Sequence, residues 1–182
     1  MDKHTHSDPS AKNYLFESTH KPVPPDLAAY AKCGIFSVTG IVHCLQTGAQ
    51  TEVKKGFPVR FDHFSSTLGD ALLQNKSEVV LNTHNDCLAL LWYTACVSPQ
   101  FGTTAFLEVK LNGDIVAGGS ASAQSAYQIG VEMTLSALTV IRLHNKPRQV
   151  IELINCDNTA DIANSSLVLV LLDAAGPMKD SD

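Results

Sequence analysis

From about Leu88 to Asp173 the pattern of apolar and polar positions reads as back-to-back β-strands with almost no helical period. In Ala105–Leu111, the residues Ala105, Leu107, Val109 and Leu111 fall on one side, and Phe106, Glu108 and Lys110 on the other. Asn112-Gly113 follows at once and Asp114–Ala117 resumes the strand, which predicts a two-residue hairpin, because both turn residues take φ > 0 at low cost. Ile129, Val131, Met133, Leu135 and Ala137 alternate with Gly130, Glu132, Thr134 and Ser136; beyond Ser136 the apolar character moves to both faces. That change predicts either a bulge near Ser136–Ala137 or a strand end covered twice. His144–Arg148 reads as a turn, Gln149–Cys156 as a strand, Asp157–Asn164 as a polar loop and Ser165–Asp173 as a last strand. The core of that strand, Leu167–Leu172, is apolar on both faces, so it is expected to lie centrally.

Upstream the pattern is weaker. Gly34–Gly40 reads as a short strand that Ile41–Gln46 continues after a kink. Phe57–Phe61 reads as a second short strand, at a sheet edge because Pro58 has no N–H for a ladder. Phe64–Asn75 fits a helix through Leu68, Leu72 and Leu73 as well as it fits an irregular loop, since Gly69 weakens the helix. Ser77–Thr83 and Leu88–Val97 are expected to form a hairpin around His84-Asn85-Asp86. Ser98–Thr103 and the small-residue run Gly118–Ser125 read as loops; the latter lacks the lysine and the helix that a phosphate cradle needs. Eight to ten strands at this spacing predict an all-β, two-sheet antiparallel sandwich. A last strand apolar on both sides predicts that its outer face is covered too, most economically by a second copy of the chain.

The 182 residues divide into a flexible Pro-containing arm (1–32), one β-sandwich domain (33–174) and an acidic tail (175–182). A 45% hydrophobic composition supports a packed core, and a net charge of −5 argues against a nucleic-acid partner. No stretch reaches the ~18 apolar residues of a membrane helix, and Met1–Ser10 has no apolar segment of the secretory kind. Five cysteines, an odd number without a CxxC pair, read mainly as small buried hydrophobes, with disulfides or intermolecular crosslinks as the alternative.

The order of segments from Pro58 to Leu172 resembles the tumour-necrosis-factor/C1q-like jelly roll. Its bacterial branch is the nearest in pattern, in particular the C-terminal domain of collagen-like exosporium glycoproteins of spore-forming bacteria. The residues that carry the resemblance are Glu78–Leu81 followed by a short turn and Cys87–Tyr93, then the Leu107–Gly113 strand and turn. Val131–Leu143, Pro147, Val150–Leu153 and Leu167–Leu172 complete it in the manner of the family's last three strands. The chain departs from that branch in having no Gly-X-Y stalk and in its cysteines and histidines. The resemblance implies a homotrimer with the C-terminal strands near the threefold axis, and a surface or coat role without catalysis. Trp92, Val131, Met133, Leu135, Leu167, Leu169 and Leu171 are the expected trimer-interface residues, and Cys33 and Cys44 the expected crosslinking cysteines.

Catalytic, cofactor and metal signatures are weak by comparison. Asp62-His63 reads as a solvated loop pair. His84-Asn85-Asp86-Cys87 is turn chemistry before it is a nucleophile, because adjacent turn residues seldom bring a thiol and an imidazole into contact. A cupin metal site needs two histidines one residue apart within a strand; His4 and His6 lie in the arm, and His43 and His144 are single. Asp157, Asn158 and Asp161 supply oxygens of the kind calcium takes, or simply a hydrated loop. Asn75-Lys76-Ser77 and Asn164-Ser165-Ser166 match the glycosylation pattern. The sequence therefore predicts a non-enzymatic structural protein without cofactor or metal. It would partner with itself and with other layer proteins in a spore surface layer. A soluble glycan- or receptor-binding module and a viral or phage capsid or fibre head are the alternatives.

Overall fold

The computed structural model describes residues 36–125 and 131–174, which belong to the second of two units into which the chain divides, Met1–Gly34 and Ile35–Asp182. The described residues form eleven strands and no helix: β1 Phe36–Leu45, β2 Ala49–Val53, β3 His63–Ser66, β4 Leu72–Gln74, β5 Glu78–Leu81, β6 Cys87–Pro99, β7 Thr104–Leu111, β8 Asp114–Gln124, β9 Met133–Leu143, β10 Gln149–Asn155 and β11 Ala160–Ala174. The first sheet runs β3-β1-β11-β6-β9, with β2 pairing to β11 beside this path; the second runs β4-β5-β10-β7-β8. Every strand pairing is antiparallel. The chain is thus the all-β two-sheet antiparallel sandwich that the strand spacing predicts, and the jelly roll that the resemblance implies.

The core lies between the sheets. From the first sheet it takes Val42, Cys44, Ala89, Leu91, Tyr93, Leu135, Ile141, Leu167 and Leu169, and from the second Val79, Leu81, Leu107, Val109, Ile151 and Leu153. Tyr93 is fully buried, and its hydroxyl donates to the Leu107 carbonyl in the opposite sheet at 3.2 Å. This satisfies the one polar atom of a large core side chain. The predicted Asn-Gly hairpin is present: Asn112 and Gly113 have φ of 55° and 90°, both positive as a type I′ turn requires. β1 carries the predicted kink, as a register shift between Val38 and Gly40.

Several local readings change. Ser77–Thr83 and Leu88–Val97 are not a hairpin: β5 pairs with β4 and β10, whereas β6 pairs with β11 and β9. Residues 82–86 therefore cross from one sheet to the other. Their polar atoms are held by the β9–β10 turn, where Asn82 Oδ1 accepts the Arg148 N–H at 2.8 Å and Thr83 donates to the His144 carbonyl. Phe57–Phe61 is not a strand either and makes only an isolated bridge, Pro58 to Ile154. The Val59 N–H goes to Leu153 and the Phe61 N–H to Lys76, so the segment is shared between neighbours while Val59 and Phe61 fill the core. The ambiguous Phe64–Asn75 contains β3 and β4 and no helix. Gly118–Gln124 is strand, as part of β8, because β7 pairs with its Ser120–Gln124 part; the ladder is interrupted before Ser120 by a register shift. β11 begins five residues before the predicted Ser165. β9 pairs with β6 without any register shift, so the apolar residues beyond Ser136 stand on two faces and no bulge accounts for them.

Candidate functional site

The uncommitted chemistry of this molecule is the outer face of the first sheet. Strand parity builds it. Wherever an odd residue of β11 enters the core, its even neighbour points away, so Val168, Val170 and Leu172 face outward. The register sets them in rows: Val168 lies between His43 and Trp92, Val170 between Ile41 and Leu90, and Leu172 between Val38 and Leu88. On the far side Trp92 pairs with Leu138, Leu90 with Val140 and Leu88 with Arg142. Among the described residues, Val38, Ile41, Trp92, Leu138 and Val140 on this face are half of the ten large apolar side chains left exposed. Leu138 is 61% exposed and Val140 56%. Leu90, Trp92, Leu138, Val168 and Val170 line a shallow apolar depression of about 270 Å³. Apolar surface gathered in this way is the kind that interaction sites use.

One polar cluster interrupts the face. His43 is half-buried on β1, and its Nε2 lies 3.1 Å from the Ser166 hydroxyl. Cys96 and Thr134 stand on the same side at the opposite end of β6, 4.0 Å apart.

No family model matches the sequence, and no curated protein is similar enough to it to count as a match. Solved structures do match. An Eiger TNF from S. frugiperda is similar over 81% of this chain and 99% of its own, at 12% identity and a TM-score of 0.54. Murine APRIL is similar over 72% of this chain and 97% of its own, at 13% identity and a TM-score of 0.52. The globular domain of zebrafish complement 1qA covers 73% of this chain and 95% of its own, at 14% identity and a TM-score of 0.46. The fold is the TNF-like jelly roll. At such identities the likeness is one of fold.

Within this TNF-like jelly roll the predicted interface residues separate into two groups. Trp92 lies on the apolar outer face, and Val131 is exposed just before β9. Met133 is half-buried against the core, while Leu135, Leu167, Leu169 and Leu171 are inside the sandwich at 4% exposure or less. These four have no surface to give a partner; the outward positions are their neighbours Val168, Val170 and Leu172. The expected crosslinking cysteine Cys44 is fully buried, and burial pushes its thiol up to about 12, so it is a core hydrophobe and not a crosslinking thiol. Cys33 lies outside the described residues.

Among the described residues no group of three or more His, Cys, Asp or Glu is placed to hold a metal ion. Asp161 Oδ1 accepts the Glu52 N–H at 2.7 Å, and Asn158 Nδ2 donates to Asp157 Oδ1 at 3.1 Å, so the proposed calcium loop spends its oxygens on itself and on β2. His63 and Asp62 are exposed. His84 Nε2 lies 3.2 Å from Asp70 Oδ2, at a cleft of about 180 Å³ that Cys87 also lines. Asn164 and Asn75 both have positive φ.

Asp86 is the fastener of this end of the molecule. Its Oδ1 accepts the Asn145 N–H at 2.7 Å and its Oδ2 the Arg142 guanidinium at 3.1 Å, with His144 Nδ1 at 3.6 Å. The Asn145 backbone hydrogen bond holds its carboxyl below the usual carboxylate range; desolvation opposes it, and the Arg142 and His144 side chains add to the lowering. A folded pKa below the unfolded one stabilises the fold above the unfolded carboxylate value, and that stability is lost as pH falls through the folded value. Asp86→Asn is therefore expected to lower the urea midpoint at neutral pH, with the gap to wild type closing as pH falls below about 4. A gap that is the same across the titration would show that the charge of Asp86 contributes nothing.

Proposed function

We propose that this chain forms a homotrimeric, non-enzymatic jelly-roll head in a proteinaceous outer layer such as a bacterial spore surface. The observation that carries the reading is the outer face of the first sheet. Its centre, around β11 and β6, is apolar on both sides, which is how a strand reads when both faces are covered. A second and third copy are the occupants that the TNF-like resemblance supplies. At ~25 cal/mol per Å² of apolar area, covering a few hundred Å² contributes several kcal/mol before association costs are subtracted. The role of such a head is passive: it buries surface between subunits and presents the other sheet and the loops outward. Other layer proteins are its proposed partners.

Light scattering coupled to gel filtration tests the assembly. The expected mass is three times 19.5 kDa; a mass of one chain would refute it. Recovery of the protein in the insoluble outer layer of the producing cell supports the coat role, whereas recovery wholly in the soluble fraction removes it.

A further inference from the structure

His43 is a half-buried imidazole on the apolar face, beside Val168, and among the described residues no carboxylate faces it. Across the ladder it pairs with Val168 on β11 and Ser65 on β3. Its outward neighbours on β1 are Ile41 and Leu45, both apolar. From β11, Ser166, Val168 and Val170 face it. From β6, beyond β11, the nearest outward residues are Trp92 and Thr94. β3 brings one further titratable group to this side, His63, opposite Leu45. Of the carboxylates in the segments beside β1, Asp62 lies by Gly48, and Glu52 is at the exposed β2. Among the described residues, no Asp or Glu lies within 4.0 Å of the His43 imidazole, in contrast to His84 and His144, each of which has an aspartate.

The chemistry of the imidazole then decides what assembly does to it. Neutral, His43 needs one donor and one acceptor, and the Ser166 hydroxyl serves either role at Nε2. Protonated, it is a cation with two donors, for which the face offers a hydroxyl and aliphatic carbons. Closing a second copy over this face removes the water that would solvate that charge. His63 is the other imidazole on the same sheet edge.

We propose that His43 makes assembly through this face pH-sensitive: the subunits close with the imidazole neutral and separate when it is protonated. The proposal rests on the homotrimer reading above. The sign follows from linkage. Covering the face lowers the proton affinity of His43 in the assembled state, so the assembly binds fewer protons than free subunits do. Association is therefore full above the range where imidazoles titrate and is lost as pH falls through it.

The experiment is light scattering on the full chain at about pH 7.5 and about pH 5, either side of the imidazole range, with far-ultraviolet circular dichroism on the same samples. His43→Gln, which keeps a polar side chain and cannot charge, and His63→Gln are measured in parallel. The expected result is a wild-type trimer at the higher pH and folded monomers at the lower, reversed on neutralisation, with His43→Gln trimeric at both. A wild-type chain that stays trimeric at the lower pH overturns the switch. So does a His43→Gln chain that dissociates at the wild-type pH, or acid dissociation that only His63→Gln removes. A wild-type monomer at the higher pH overturns instead the homotrimer reading on which the switch stands.

Discussion

Leu138→Asp is expected to convert the proposed homotrimer to a folded monomer. Leu138 is 61% exposed in the single chain and pairs across the ladder with Trp92, at the rim of the apolar depression. An aspartate there meets water in the monomer, so a surface substitution of this kind changes the subunit's own stability by no more than about 0.5 kcal/mol. If a second copy closes over this face as proposed, the same carboxylate is carried from water onto the apolar surface of Trp92, Val168 and Leu90. Burying a charge without a partner costs about 3–5 kcal/mol at each site, and a trimer contains the site three times. That exceeds the several kcal/mol that covering the face contributes. The measured mass should fall from three times 19.5 kDa to one, with the circular dichroism and the unfolding midpoint of the monomer unchanged. A variant that keeps the wild-type mass would show that the outer face of β9 lies outside the contact. Loss of the folded signal would instead show that Leu138 is needed by the subunit itself.

The elements that were legible in the sequence are those whose own residues decide their state. β7 alternates cleanly and the Asn112-Gly113 turn fixes where it ends, so strand, turn and return all follow from local chemistry. β2, β3 and β4 are five, four and three residues long, and most of their positions are exposed or half-buried, so no alternation survives to announce them. They exist because β11, β1 and β5 present free ladder edges. The Gly118–Gln124 part of β8 fails for the opposite reason. Its glycines and serines favour a loop, and pairing with β7 overrides them, at the cost of a register shift between Glu108 and Lys110 and a positive φ at Gly118.

The candidate site was legible in kind and illegible in phase. An uninterrupted run such as Leu167–Leu172 states that both faces are covered, but with apolar residues at odd and even positions alike it cannot say which set enters the core. The phase is set by partners: Leu169 meets Val42 on β1 and Leu91 on β6, both core residues, whereas Val168 meets His43 and Trp92. The two histidines of this face, His43 and His63, are twenty positions apart and become neighbours only through the β1–β3 ladder. No spacing rule in a single sequence brings them together.

That phase has a measurable consequence, and the contrast between two adjacent leucine-like positions tests it. Leu169→Ala is expected to destabilise the subunit by about 2–5 kcal/mol, because Leu169 is fully buried and its loss leaves a cavity between the sheets that Leu91 and Val42 cannot fill. In a domain of about 150 residues, a loss of 1 kcal/mol corresponds to roughly 2–4 °C, so the midpoint should fall by about 5–20 °C. Val168→Ala, one residue away in the same strand, removes side-chain volume from the outer face instead. Its unfolding midpoint should fall by much less when the chain is measured as a monomer, in the Leu138→Asp background, and its principal effect should be on the concentration at which the trimer dissociates. If both substitutions lower monomer stability alike, the outer face is packed within the subunit and needs no second copy to cover it. If Val168→Ala leaves monomer stability nearly intact and weakens association, the two faces of β11 perform separate tasks: one holds the sandwich together and the other joins it to its neighbours.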